Sequence, residues 1–151
     1  MALYETLDEF LIDTDKLSGQ DPETICESLG IDICYTDKLP DAYLGLSDPI
    51  QKAIFINEKV SEPFSNFLVA HELTHNVLGD VPAAYLDSSY VTYLKVENEA
   101  NSGAISLLIR YYMNSTGIEI RDFNIINFLD NFEIPYTYYF MVQDVVEKVE
   151  E

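Results

Sequence analysis

Val69-Ala70-His71-Glu72-Leu73-Thr74-His75-Asn76 contains an H-E-x-x-H pattern. On a helix, positions i and i+4 share one face, so His71 and His75 can reach a single metal ion. Glu72 projects beside them, where it can take a proton from a water at the metal. Catalytic zinc asks for this set: two neutral imidazoles, a third ligand from elsewhere, an open fourth position and a carboxylate base. The chain has two histidines, and both fall in this pentapeptide. A chance match in a chain of this length is expected at roughly the one-per-cent level. The plainer alternative is a helix with two satisfied polar histidines. Against it, Phe64, Leu68, His71, His75 and Leu78 fall at helical spacing on one stripe, the face expected to turn inward.

With no further histidine in the chain, the third ligand is sought among carboxylates. Val96-Glu97-Asn98-Glu99-Ala100-Asn101 opens the next predicted helix, which is where zinc sites with two histidines and a glutamate draw theirs. Val96, Ala100, Gly103, Ala104, Leu107, Leu108 and Tyr111 define the apolar stripe of that helix. Glu97 lies roughly 50° from its centre and Glu99 roughly 110°. Glu97 therefore points more nearly inward, where a charge must be paired or metal-bound. Glu99 stays the alternative. Gly103 and Ala104 are small enough to let the two helices approach closely.

Working outward, Leu3, Leu7, Phe10 and Leu11 predict a first helix over about 3–16. Asp21 caps a second, with Pro22 in its first turn and Gly30 past its end. Ile31 to Tyr35 reads as a strand, as do Ala42 to Ser47 and Ala53 to Asn57. The turn signal Ser47-Asp48-Pro49 lets the last two pair as a hairpin. An edge strand beside a metal helix can hold extended peptide by main-chain pairing, and Ala53–Asn57 is the candidate, with a plain core strand as the alternative. Ser61 or Ser65 caps the metal helix, Pro63 suits its first turn and Gly79 ends it. Asp80 to Tyr93 is predicted irregular, a candidate lid over the site. Helices are then expected over about 95–113, 122–131 and 136–149, with Gly117 and Pro135 as breaks.

The bulk numbers narrow the class. A chain of 151 residues with 48% hydrophobic residues suggests one globular domain. We divide it into N-terminal helices and strand (1–40), a zinc-site core (41–112) and C-terminal helices (113–151). No apolar run approaches a membrane span, and the N-terminus lacks the basic-then-apolar pattern of a secretory signal, so cytoplasmic localisation is expected. Cys26 and Cys34 match no zinc spacing and are read as buried, reduced thiols. The net charge of −19, from 8 basic and 27 acidic residues, repels nucleic acid and anionic membranes and attracts basic proteins. Solubility alone is the simpler explanation of that charge.

Three stretches in order resemble the ImmA/IrrE family of metallopeptidases: Ile54-Phe55-Ile56-Asn57, then Leu68 to Leu78 around the H-E-x-x-H pattern, then Glu97-Asn98-Glu99-Ala100-Asn101-Ser102-Gly103-Ala104, set against the family's E-x-x-A-N-x-F-A. The resemblance covers roughly residues 40–112. It implies an α+β, mostly helical, zincin-like fold with a small antiparallel or mixed sheet beside the metal helix. It also implies Zn2+ held by His71, His75 and Glu97, with Glu72 as the base. The implied substrate is a helix-turn-helix repressor of a phage, mobile element or stress response, whose basic surface would suit the acidic one here. Two departures bear on the pocket floor and the substrate. Gly103 stands where relatives have phenylalanine, and Ile105 to Tyr112 lacks their leucine pair followed by proline.

The expected reaction is peptide-bond hydrolysis, with Glu72 relaying the proton of the water to the leaving amine. It needs an oxyanion donor, for which Tyr85, Tyr90 and Tyr93 are the candidates. The rival expectation, from another class, is a zinc-binding regulator that grips a repressor without cutting it.

Overall fold

The computed structural model describes residues 2–17, 19–40, 42–80 and 90–150. Its elements run α1 (Leu7–Asp13), α2 (Pro22–Ser28), β1 (Asp32–Thr36), β2 (Gly45–Asp48), β3 (Ala53–Asn57), α3 (Glu62–Leu78), α4 (Tyr90–Thr116), α5 (Ile125–Phe132) and α6 (Tyr139–Glu150). Short 3-10 turns follow α1 and precede α5 and α6. The fold is α+β, helix-dominated with a small mixed sheet, as the sequence suggests.

The metal-motif helix α3 is the centre of the packing. Ser61 caps it by accepting the Phe64 amide at 3.3 Å, Pro63 sits in its first turn, and Gly79 ends it at φ 75°. Every residue from Phe67 to Val77 is buried. The helix is therefore covered all round, not along one stripe, because the sheet, α2, α4 and α5 each pack on it. Asn76 ties it to the hairpin: its Nδ2 donates to Ser47 Oγ at 3.0 Å and to the Ala53 carbonyl at 3.1 Å. The N-terminal segment closes the far end. Leu3 and Tyr4 give their amides to the Val77 carbonyl at 2.8 and 3.0 Å, which satisfies an acceptor in the last turn of α3. The first helix starts later than its periodicity predicts, at Leu7, where Thr6 caps it by accepting the Glu9 amide.

The sheet has the order β1-β3-β2, with β1 parallel and β2 antiparallel to β3. The predicted hairpin is present, and the Asp48 carboxylate accepts the Ile50 and Gln51 amides in its turn. The proposed edge role of Ala53–Asn57 is overturned. β3 is the central strand, its backbone engaged on both sides, and Ile54 and Ile56 are fully buried. The edges are β1 and β2. Cys34 also departs from expectation: it lies exposed on edge strand β1, whereas Cys26 is buried and its thiol is pushed up to about 12 by that burial.

Helix α4 begins at Tyr90, so residues 90–93 are helical and not irregular; the rest of the candidate lid, 81–89, lies outside the described residues. α4 lies along α3 where Gly103 meets Thr74. A Cβ on Gly103 would stand 2.7 Å from Thr74 Oγ1 and Cγ2, so a larger residue here would push the two metal-motif helices apart. One contiguous apolar core takes in Phe10, Ile25, Ile54, Leu73, Leu108, Phe128 and Val142, from all six helices and the central strand.

Candidate metal centre

Two helices supply the candidate ligands. His71 and His75, one turn apart on α3, present rings 4.7 Å apart and nearly perpendicular, at 88°. From the second turn of α4, the Glu97 carboxylate reaches both. Its Oε2 lies 3.2 Å from His71 Nε2 and its Oε1 lies 2.9 Å from His75 Nε2. The three side chains can each offer one ligand atom with all of these atoms within 4.8 Å of one another. Glu99, on the neighbouring side of the helix, is exposed and outside this cluster. The angular argument for Glu97 thus agrees with where the side chains lie.

Electrostatics binds the cluster together. Burial alone would lower the His75 pKa, but hydrogen bonds to Asp80 and Glu97 and the charge of Glu72 outweigh it and raise it to about 10. For Glu97, burial pushes upward, yet the hydrogen bonds and charges of His71 and His75 hold the carboxyl well below the usual range. Glu72 behaves differently. It is 7% exposed, and burial raises its carboxyl pKa against the opposing pull of the two histidines. Its Oε2 stands 3.9 Å from His71 Nε2. One carboxylate is thus kept ionised at the ligand position, and the other is made more basic beside it. This is the division of labour a ligand and a proton carrier require.

The residues present fit a divalent ion of the zinc type. Two imidazole Nε2 atoms and one carboxylate make a three-ligand set of the catalytic kind. The distal nitrogens are half provided for: Asp80 Oδ2 lies 3.1 Å from His75 Nδ1, while His71 Nδ1 is buried with no partner among the described residues. A carboxylate on the far nitrogen fixes the imidazole tautomer so that Nε2 is the free lone pair. Asp80→Ala is therefore expected to weaken zinc affinity about 10–100-fold in a competition titration with a chromogenic chelator. Unchanged affinity would reduce Asp80 to a neighbour of the helix end.

Three contributors escape sequence reasoning because their roles depend on contacts between distant segments. Gly45 on β2 faces Glu72; a Cβ there would lie 2.9 Å from Glu72 Oε2, so the missing side chain is what gives the carboxylate its place. Asn76 fixes the roll of α3 against the hairpin. Tyr138, just before α6, packs its ring on Phe67 at 5.4 Å, and Phe67 in turn lies 6.1 Å from the His71 ring. Burial and the nearby Glu97 charge raise the Tyr138 pKa, so its phenol keeps its proton and can donate it in a hydrogen bond. Of the tyrosines named from sequence, Tyr85 lies outside the described residues. Tyr90 and Tyr93 belong to the first turn of α4.

Residues 26–115, well over half of the chain, match the family model of the IrrE N-terminal-like domain, peptidase M78. The match reaches further back than the sequence resemblance and takes in part of α2 and all of β1. No curated protein and no solved structure matches the chain.

Proposed function

The chain belongs to the peptidase M78 family of IrrE N-terminal-like domains, and from that premise we propose that it is a zinc-dependent endopeptidase acting on a basic, DNA-binding protein. The observation that carries this reading is the meeting of His71, His75 and Glu97 around one point with the buried Glu72 beside them. Bound zinc would supply Lewis acidity toward a water and toward the scissile carbonyl. Glu72 takes the proton of the attacking water at its carboxylate, which burial has made more basic. As the carbon–nitrogen bond breaks, Glu72 returns that proton to the leaving amine. Asp80 holds the His75 ring, and Glu97 neutralises positive charge at the ligand face.

The substrate-pairing role first given to Ala53–Asn57 passes in this reading to β2. It is the edge strand on the same side as Glu72, and its outer backbone groups are unpaired by strands among the described residues. Extended peptide added there would bring its carbonyl past Gly45 toward Glu72. For the partner, the −19 net charge favours a basic protein, and a helix-turn-helix repressor of a phage, mobile element or stress response is the substrate we propose. The exposed Cys34 thiol suits a reducing cytoplasm.

The test is to incubate the zinc-loaded protein with the DNA-binding regulator encoded beside its gene, with and without a chelator. Discrete fragments that vanish with chelator are expected. A stable complex without fragments, indifferent to chelator, would instead make this a binding protein.

A further inference from the structure

The segment ahead of α1 closes on the last turn of α3, and it precedes residues 26–115, the stretch that the family model matches. That turn is capped in two parts. Asp80 gives its amide to the His75 carbonyl at 2.9 Å and Gly79 gives its amide to the Asn76 carbonyl at 3.1 Å, bonds made by the helix end itself. The Val77 carbonyl is closed from outside, by the Leu3 and Tyr4 amides at 2.8 and 3.0 Å. The approach is tight. A Cβ on Gly79 would stand 3.0 Å from the Ala2 nitrogen and 3.1 Å from its Cα. Further along, the Tyr4 ring lies 5.3 Å from Phe10 and its hydroxyl donates to Asp13. Leu7 packs beside Gly103, where α3 and α4 meet.

Apolar anchoring does not account for this docking. Ala2 is exposed and Leu3 is 43% exposed, and what they bring to α3 is backbone. What the turn carries gives the contact its meaning. It ends in Asp80, whose carboxylate lies 3.1 Å from His75 Nδ1, and Asp80 reaches that place only through the bend at Gly79 that Ala2 backs. We propose that Ala2 to Leu7 form a strap that holds the last turn of α3 so that Asp80 stays on His75, and that displacing the strap lowers the affinity of the centre for a divalent metal ion. Leu3 and Gly79 are then positioning residues that act through Asp80. The inference rests on the reading of His71, His75 and Glu97 as a metal centre.

Two substitutions displace the strap without touching a candidate ligand or Asp80. Leu3→Pro deletes one of the two amides. Gly79→Asn keeps the left-handed helix end, which asparagine tolerates, but sets its Cβ against Ala2. Zinc affinity is read by competition with a chromogenic chelator, and amide hydrogen exchange is read in the metal-free protein. Each variant is expected to weaken zinc binding by about threefold to tenfold, less than the loss expected of Asp80→Ala. Each should also speed exchange at Gly79 and Asp80. Added to Asp80→Ala, neither should weaken binding further, because the strap works through that carboxylate. Val146→Ala, in the buried face of α6, should lower the melting temperature and leave zinc affinity unchanged. Wild-type affinity in both strap variants would overturn the proposal. So would losses that add to that of Asp80→Ala, or an equal loss in Val146→Ala, since both would mean general loosening of the fold. A wild-type protein that binds no zinc would sink the metal-centre reading and the strap with it. Zinc bound equally by wild type and strap variants would sink the strap alone.

Discussion

Glu72→Gln is expected to abolish cleavage while zinc stays bound. Glutamine keeps the shape and loses the proton acceptor, and general-base catalysis by a positioned side chain is worth roughly 10²–10⁴-fold. Because Glu72 is not among the three clustered ligand groups, metal content should be unchanged. A second effect follows from its burial. The folded-state pKa is raised above the ordinary 4.5, so the ionised form is disfavoured by folding. For an acid shifted this way, the contribution to stability is largest below pH 4.5 and is lost as pH rises. The metal-free Gln variant should therefore melt higher than metal-free wild type at neutral pH, and the gap should close in acid. Retained cleavage would remove Glu72 from the role of base. A lower melting temperature at neutral pH would show that the attraction of His71 and His75 exceeds the burial cost.

The second large effect is on metal affinity. Glu97→Ala removes the carboxylate that bridges both imidazoles and should weaken zinc binding by more than about a hundredfold, beyond what loss of an outer partner such as Asp80 produces. Glu99→Ala, two residues along the helix and outside the cluster, should change little. The pH dependence separates a ligand from a bystander. In the metal-free protein His75 titrates at about 10 and so carries a proton at neutral pH. Zinc must displace that proton, so affinity should rise about tenfold per pH unit up to that value. Without Glu97 the histidine loses one of the groups that raise its pKa, and the rise should level off at lower pH. Equal affinities and identical pH profiles for the two variants would rule out Glu97 as a ligand. The metal-free fold follows the same linkage: the His75 contribution is complete below about pH 6.5 and lost as pH rises through 10, and the Glu97 contribution is complete above 4.5 and lost in acid.

Local rules carried most of what the sequence revealed. The i, i+4 spacing of His71 and His75, the Ser61 cap, the Gly79 stop and the angular position of Glu97 each depend on one helix alone, and each agrees with the structure. Contacts between distant segments were not legible. Asp48 and Pro49 signal a turn, but nothing in Ala53–Asn57 says that β1 will pair with its other side and make it central. Gly45 falls in the predicted strand Ala42 to Ser47, but nothing in that stretch says that the strand will bring it to Glu72. Asp80, five residues past His75, has no helical periodicity to expose it; the chain must first turn at Gly79. Tyr138 enters from the far end of the chain through Phe67. Leu3 fits the spacing of α1, yet its amide docks on the Val77 carbonyl at the far end of α3, a contact no local pattern shows.

The account rests on one ion held by two imidazoles from α3 and one carboxylate from α4. The direct test is zinc K-edge X-ray absorption on protein carrying one equivalent of zinc. It should report two imidazoles and light oxygen donors near about 2.0–2.1 Å, with no sulfur, and a changed first shell in Glu97→Ala. A spectrum with one imidazole or none, or with a thiolate from Cys34, would contradict it.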